Sequence, residues 1–226
     1  MKHSLIFCLL ILFCPSGFSQ SFEARLGGAF TQLDDLQNQS GGDFLSYERS
    51  FDTHLGLGIR ELRLFPTIPR LRLDINLNYD QYGGPLQTSS GGRSIRSSAD
   101  VVVEGKSLGL AVYPLHLFLF KKGLHFAFGP ELAFPFAKSF VGSRSYRIGS
   151  SSSTSAVREN NPAAFNQNRF SLNARVSLKT IRIQNLTIHL FYNLNRSLSA
   201  EFVQFTPRPF VRMHRFGLTI EIDPDK

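Results

Sequence analysis

The stretch RLRLDINLNYDQYGG, Arg70 to Gly84, decides how this chain folds. Leu71, Leu73, Ile75, Leu77 and Tyr79 share one parity, and Arg72, Asp74, Asn76 and Asn78 share the other. Successive side chains leave a β-strand on opposite sides, so a period of two predicts a strand with two unlike faces, here ending at Gly83 and Gly84. The pattern leaves open which face meets water. In a soluble barrel the leucines line a cavity, as in a lipocalin-like carrier of an apolar ligand; in a membrane barrel they point outward.

The same alternation recurs along the chain and predicts eight strands, over residues 22–30, 51–65, 70–84, 101–118, 124–136, 169–179, 185–195 and 214–222. In the second strand Leu55, Leu57 and Ile59 lie on one parity and Leu62 and Leu64 on the other, which predicts a β-bulge near Arg60 and Glu61. The links alternate in length. Long ones run from Asp34 to Ser50, Gly83 to Asp100, Lys138 to Asn168 and Arg196 to Pro209; short ones cover Pro66 to Pro69, Lys121 to Gly123 and Thr180 to Gln184. That layout is expected of an all-β, eight-stranded, antiparallel up-and-down transmembrane β-barrel with short periplasmic turns and long extracellular loops.

Export is expected as well. Residues 1–19 start with Lys2, continue as an apolar run from Leu5 to Phe13 and end in small residues Gly17 and Ser19, the pattern of a cleaved signal peptide. Residues 20–226 are then the barrel domain. Both cysteines, Cys8 and Cys14, fall in the export segment, so the domain has no thiol chemistry to offer. At 42% hydrophobic and 12% aromatic residues the chain is too apolar to be disordered, and its formal charge of +8 favours anionic partners. There is no Trp and only six Tyr, so the interfacial belt usual in membrane barrels falls to phenylalanines at strand ends, such as Phe30, Phe51, Phe65, Phe120, Phe136 and Phe210.

The run SLGLAVYPLHLFLFKKGLHFAFGPELAF, Ser107 to Phe134, resembles the central hairpin of the small PorT-like or OmpX-like outer-membrane β-barrel proteins of Gram-negative bacteria. The resemblance implies the outer membrane, and it admits a role as accessory subunit of a secretion machine.

Two groups of residues are candidates for function. The polar faces of the strands carry Glu23, Arg25, Arg72, Asp74, Glu131, Arg169, Arg175, Lys179, Arg215 and Glu221. An eight-stranded barrel has an interior just wide enough for side chains to fill, so these predict a charged, plugged lumen rather than a pore. The second and third long links carry Arg93, Arg96, Arg144, Arg147 and Arg158 among serines and glycines. A guanidinium fork matches phosphate oxygens, so lipopolysaccharide or another anionic glycan is the expected contact, with envelope or secretion proteins as further partners. His54, His116, His125, His189 and His214 are scattered without HxH or HExxH spacing, and no GxSxG element occurs. No metal, cofactor or catalytic role is expected. Export and the lack of a recognition module exclude nucleic acid. The role that remains is a non-catalytic one in adhesion, envelope integrity or partner docking.

Overall fold

A computed structural model describes residues 21–34, 44–48, 50–63, 72–91, 95–119, 123–160, 168–200 and 210–223. The export segment 1–19, Arg93, Phe65, Phe120 and the proline turn at 66–69 lie outside them. The strands are β1 (Ser21–Asp34), β2 (Phe44–Tyr47), β3 (Ser50–Arg63), β4 (Arg72–Gly91), β5 (Ile95–Tyr113), β6 (Leu115–Leu119), β7 (Leu124–Ile148), β8 (Ser151–Asn160), β9 (Arg169–Ile183), β10 (Leu186–Ala200) and β11 (Phe210–Ile222). Antiparallel pairing runs β1, β3, β4, β5, β7, β9, β10, β11 and back to β1, which closes a ring of eight. β6 continues β5 on the same flank of β7 after a break at Pro114, which has no N–H to give a ladder.

The alternation places its two faces as a bilayer requires. Leu26 is 64% exposed and Leu57 63%, and Leu77, Leu110, Leu132, Leu172, Leu190 and Leu218 also point away from the ring. The largest fully buried side chains are Arg169, Arg175 and Arg215. Arginine is almost never fully buried without partners, so the inside is polar and paired while the outside is apolar. The lipocalin-like reading is thereby overturned: the leucines are outside, and charged groups occupy the space where an apolar ligand would sit.

The bulge falls where the phase change predicts it. Ile59 pairs with Ile75 and Leu62 with Leu73, so Arg60 and Glu61 together oppose Asp74. Glu61 takes a left-handed φ of 57°, and its N–H donates to Asp74 Oδ1 at 3.0 Å. The extra residue keeps Leu62 on the same face as Leu57 and turns Arg60 into the lumen.

Three of the four long links differ from expectation: the first contains β2, which pairs with β4, and the next two are drawn into paired strands. The chain does not stop at Gly83 and Gly84: β4 runs on to Gly91 and pairs with β5 up to Arg96. β7 continues to Ile148, turns at Gly149 and Ser150, and returns as β8. These links are long hairpins rather than loops. Their serines and glycines give neither face an apolar stripe, so periodicity is silent there although the backbone pairs. Gly84 has a different task from ending a strand. Its φ is 150°, and a Cβ there would lie 2.4 Å from the Glu48 carbonyl oxygen, so glycine lets the segment after β2 cross closely. Tyr47 Oη donates to the Gly83 carbonyl, and the Glu48 N–H donates to the Pro85 carbonyl at 3.0 Å.

Beyond the ring the strands continue as an open sheet in the order β2, β4, β5, β7, β8. Its inner face packs Leu86, Val101, Val103 and Phe140 with Val211 of β11, flanked by Tyr47, Ala99 and Val157. This apolar cluster caps the charged lumen at the long-hairpin end. On the outside, Phe30, Phe51 and Phe216 cluster with centroids 5.2 to 5.9 Å apart, and Tyr79 lies 6.3 Å from Phe136. Tyr192 Oη and His214 Nδ1 share a hydrogen bond of 2.6 Å on the outer surface, which supplies polar-tipped rings in place of Trp.

Candidate functional site

The lumen is built in layers that can be followed up β11 from the short-turn end. Glu221, Thr219, Arg215, Met213 and Val211 all point inward and mark successive levels.

At the lowest level Glu221 lies opposite Glu23 in the β1–β11 register, two carboxylates side by side. Arginines hold them together. Arg60 Nη1 donates to Glu221 Oε2, Ser21 Oγ donates to Glu221 Oε1 at 2.8 Å, and His189 Nε2 donates to Glu221 Oε2 at 2.8 Å. Arg175 spans the next gap, with Nη1 2.9 Å from Glu23 Oε1, Nη2 donating to Asp74 Oδ2, and its carbon 4.5 Å over the Tyr113 ring.

Arg215 forms the central knot. Nε and Nη2 donate to the two oxygens of Asp80 at 2.9 and 2.6 Å, and Nη1 and Nη2 donate to the two oxygens of Glu131 at 2.8 and 2.7 Å. Nη1 also reaches Asn173 Oδ1 at 3.3 Å, so all five guanidinium N–H groups have acceptors. The carboxylates are shared further. His54 Nδ1 donates to Asp80 Oδ1 at 2.7 Å, while Asn78 and Asn173 donate to Glu131 Oε2 at 2.8 and 3.2 Å. Arg25 Nη2 donates to Asn78 Oδ1 at 3.1 Å and lies 5.9 Å over Phe191; Arg169 lies 5.2 Å over Tyr82.

Glu23, Arg25, Asp74, Glu131, Arg169, Arg175 and Arg215 are thus buried inside the barrel, and Glu221 joins them at the short-turn end. The side chain of Arg72 lies outside the described set. Lys179, of lumen parity, emerges at the turn end and is exposed. Sequence reasoning missed Arg60, His54 and Asp80, which the structure ties into the same network.

Asp74, His116 and His125 have ligand atoms within 4.8 Å of one another, as a metal site would. Hydrogen-bond polarity accounts for the cluster otherwise. Arg60 Nη2 can only donate, so His125 Nδ1 at 2.9 Å accepts and its proton sits on Nε2. That proton goes to His116 Nδ1 at 2.9 Å, and His116 Nε2 donates to the Tyr113 carbonyl at 2.7 Å. Both imidazole lone pairs are used, and none is left for a cation.

The loop arginines separate by face. In the register, Arg96 lies opposite Arg147, Ala99 opposite Arg144, and Val141 opposite Arg158. Arg96, Arg147 and Arg158 share the outer face with the exposed Val102 and Val141; Arg144 is on the inner face with Val101 and Phe140. Expectation put all of them on loops; the structure puts Arg96, Arg144, Arg147 and Arg158 on paired strands.

No protein-family model and no curated relative matches the chain. Among solved structures it is similar to neisserial surface protein A, at 14% identity over 91% of this chain and 97% of that one with a TM-score of 0.40. It is similar also to the attachment invasion locus protein of Yersinia pestis, in complex with the heparin analogue sucrose octasulfate, at 9% identity over 91% and 100% with a TM-score of 0.41. A third likeness is to OprG from Pseudomonas aeruginosa, at 13% identity over 91% and 97% with a TM-score of 0.38. These are likenesses of outline. The closed ring, the apolar exterior and the charged interior are the chain's own, and they make it an eight-stranded transmembrane β-barrel.

Proposed function

We propose that this protein is a non-conducting, non-catalytic surface protein of the bacterial outer membrane, in which the barrel is an anchor and the projecting sheet carries the interaction. One observation supports this above others: the lumen is closed twice, by the arginine–carboxylate network and then by the apolar cluster of Leu86, Val101, Val103, Phe140 and Val211. Arg175 and Arg215 tie carboxylates of different strands together across the lumen, and an apolar layer lies above them, so side chains fill the path an ion would take. A closed barrel with a lipid-facing exterior is the alternative to a helix for crossing a bilayer, and export by residues 1–19 would deliver it to the outer membrane. What then remains for function is the sheet β2–β4–β5–β7–β8, directed away from the short-turn end where β1 starts and β11 ends.

Adhesion, envelope integrity and partner docking all fit that layout, and a PorT-like accessory role in secretion would use the same sheet. The test is reconstitution in planar bilayers alongside envelope fractionation. Heat-modifiable protein in the outer-membrane fraction with no unitary conductance supports the reading; ohmic channels of reproducible size overturn it.

A further inference from the structure

Arg96 and Arg147 face each other directly across the β5–β7 ladder. Like charges in that position repel at Cβ separations of roughly 5 Å, and among the described residues no carboxylate forms an ion pair with either. Each guanidinium is nevertheless held in place. Arg96 Nε donates to Ser89 Oγ at 3.0 Å, and Arg147 Nε donates to the Gly149 carbonyl at 3.0 Å. Both arginines are therefore fixed through Nε, which leaves the two Nη groups of each as a fork directed at whatever lies on the outer face. Below the pair, a shallow depression of about 220 Å³ is lined by Gln87, Ser89, Ser98, Asp100, Ser143 and Ser145 of that face, together with Thr88 and Ala99 from between them on the same strands.

We propose that this face binds an anionic polysaccharide, with a sulfate, phosphate or carboxylate seated between Arg96 and Arg147 and neutral sugar units lying over the hydroxyls below. The proposal rests on the reading of the chain as an outer-membrane surface protein and names the partner of its projecting sheet. Two opposed forks without an internal counter-charge match an oxyanion, since each can donate two hydrogen bonds to its oxygens. Short hydroxyl side chains and the Gln87 amide exchange hydrogen bonds with sugar hydroxyls, and the Asp100 carboxylate accepts from them while repelling a second anion, which sets the register of the chain.

Geometry separates this ligand from others of like charge. Along the outward face of β5, Leu110 and Leu108 give way to Lys106 and Glu104, which marks the edge of the apolar belt. Arg96 lies ten positions beyond Lys106, about 33 Å along a strand and roughly 25 Å in height at a barrel tilt of about 40°. Phosphates of the membrane's own lipids lie near the belt and are out of reach, so the anion belongs to a chain extending from the surface. The lining carries no aromatic ring on which a base could stack and no apolar anchor of the kind protein interfaces use. Tyr146 is on the opposite face, level with Ser97.

The test uses the full chain in detergent micelles with dextran sulfate as the probe, neutral dextran as the uncharged control and phosphatidylglycerol vesicles as the lipid control. Heat-modifiable gel migration of every sample reports the barrel independently. The expected result is retention on dextran sulfate and on neither control. The double variant Arg96→Gln/Arg147→Gln should lose roughly tenfold or more in affinity with migration unchanged, and Arg144→Gln, on the same hairpin three positions from Arg147 but on the inner face, should bind as the parent does. An equal loss in Arg144→Gln would reduce the effect to net charge and overturn the proposal. So would equal affinity of parent and double variant, absence of any binding, or binding only to the lipid vesicles. Loss of heat modifiability in the parent itself would instead strike the surface-barrel reading on which the proposal rests.

Discussion

The lumen and the projecting sheet are both rich in arginine, and they treat it in opposite ways. Inside, Arg215 finds an acceptor for every N–H, and Arg60 and Arg175 each bridge carboxylates from different strands. Outside, Arg96 faces Arg147 and meets no acid among the described residues. Charge that closes on itself stabilises a structure, whereas charge left open addresses a partner. Sequence composition cannot separate the two, because both are arginines among polar neighbours; strand pairing does.

Breaking the inner half of that comparison should have the largest effect. Arg215→Leu leaves Asp80 and Glu131 buried without their cation, and a loss of about 3–5 kcal/mol is expected in urea unfolding followed by gel migration. Removing Asp80's charge as well, in Asp80→Asn/Arg215→Leu, should recover part of that loss, since fewer unpaired charges remain. A single variant as stable as the parent would mean that the lumen is not held by this knot. Next comes the lipid face. Leu26→Arg should cost about 2–4 kcal/mol if the side chain lies near the bilayer midplane; on a surface facing water the same change would stay within roughly 0.5 kcal/mol.

A third variant tests how tightly the inner residues are packed. A Cβ on Gly58 would lie 1.9 Å from Asn76 Oδ1 and 2.9 Å from the Ile75 carbonyl, so Gly58→Ala should cost about 1–3 kcal/mol by overpacking. The smallest effect is expected outside. Arg96→Gln should change stability by no more than about 0.5 kcal/mol while weakening retention on dextran sulfate, which separates fold from recognition at one residue.

The barrel was legible because bilayer and lumen impose opposite chemistries on alternate positions, as at Leu71 to Asn78. Even its main irregularity could be read: the parity switch between Ile59 and Leu62 marks the bulge that the register contains. Arg60 escaped because parity gives two answers at the switch itself. Asp80 shares the parity of Asp74, yet it precedes Gly83 and Gly84, which read as an end when they are a crossing point. His125 and His189 could be placed in the internal network by their lumen parity, whereas His54 became meaningful only through a partner 26 residues away. The long hairpins were invisible for a different reason. Above the belt both faces carry polar residues, so the pairing of Ser97 with Ser90 and of Ser145 with Thr154 leaves no trace in hydropathy.

β7 is 25 residues long and belongs to both halves of the molecule. Its lower part is bonded to β6, β5 and β9 within the ring, and its upper part to β5 and β8 outside it. A tug on a polymer held at Arg147 would therefore run down one uninterrupted strand into the wall of the barrel. The load would fall lengthwise on many ladder bonds at once, in shear, instead of peeling them one by one. The grip and the anchor are thus joined by one strand, across the bulge at Phe136 where Lys106 pairs with Ala137 and Ser107 with Pro135.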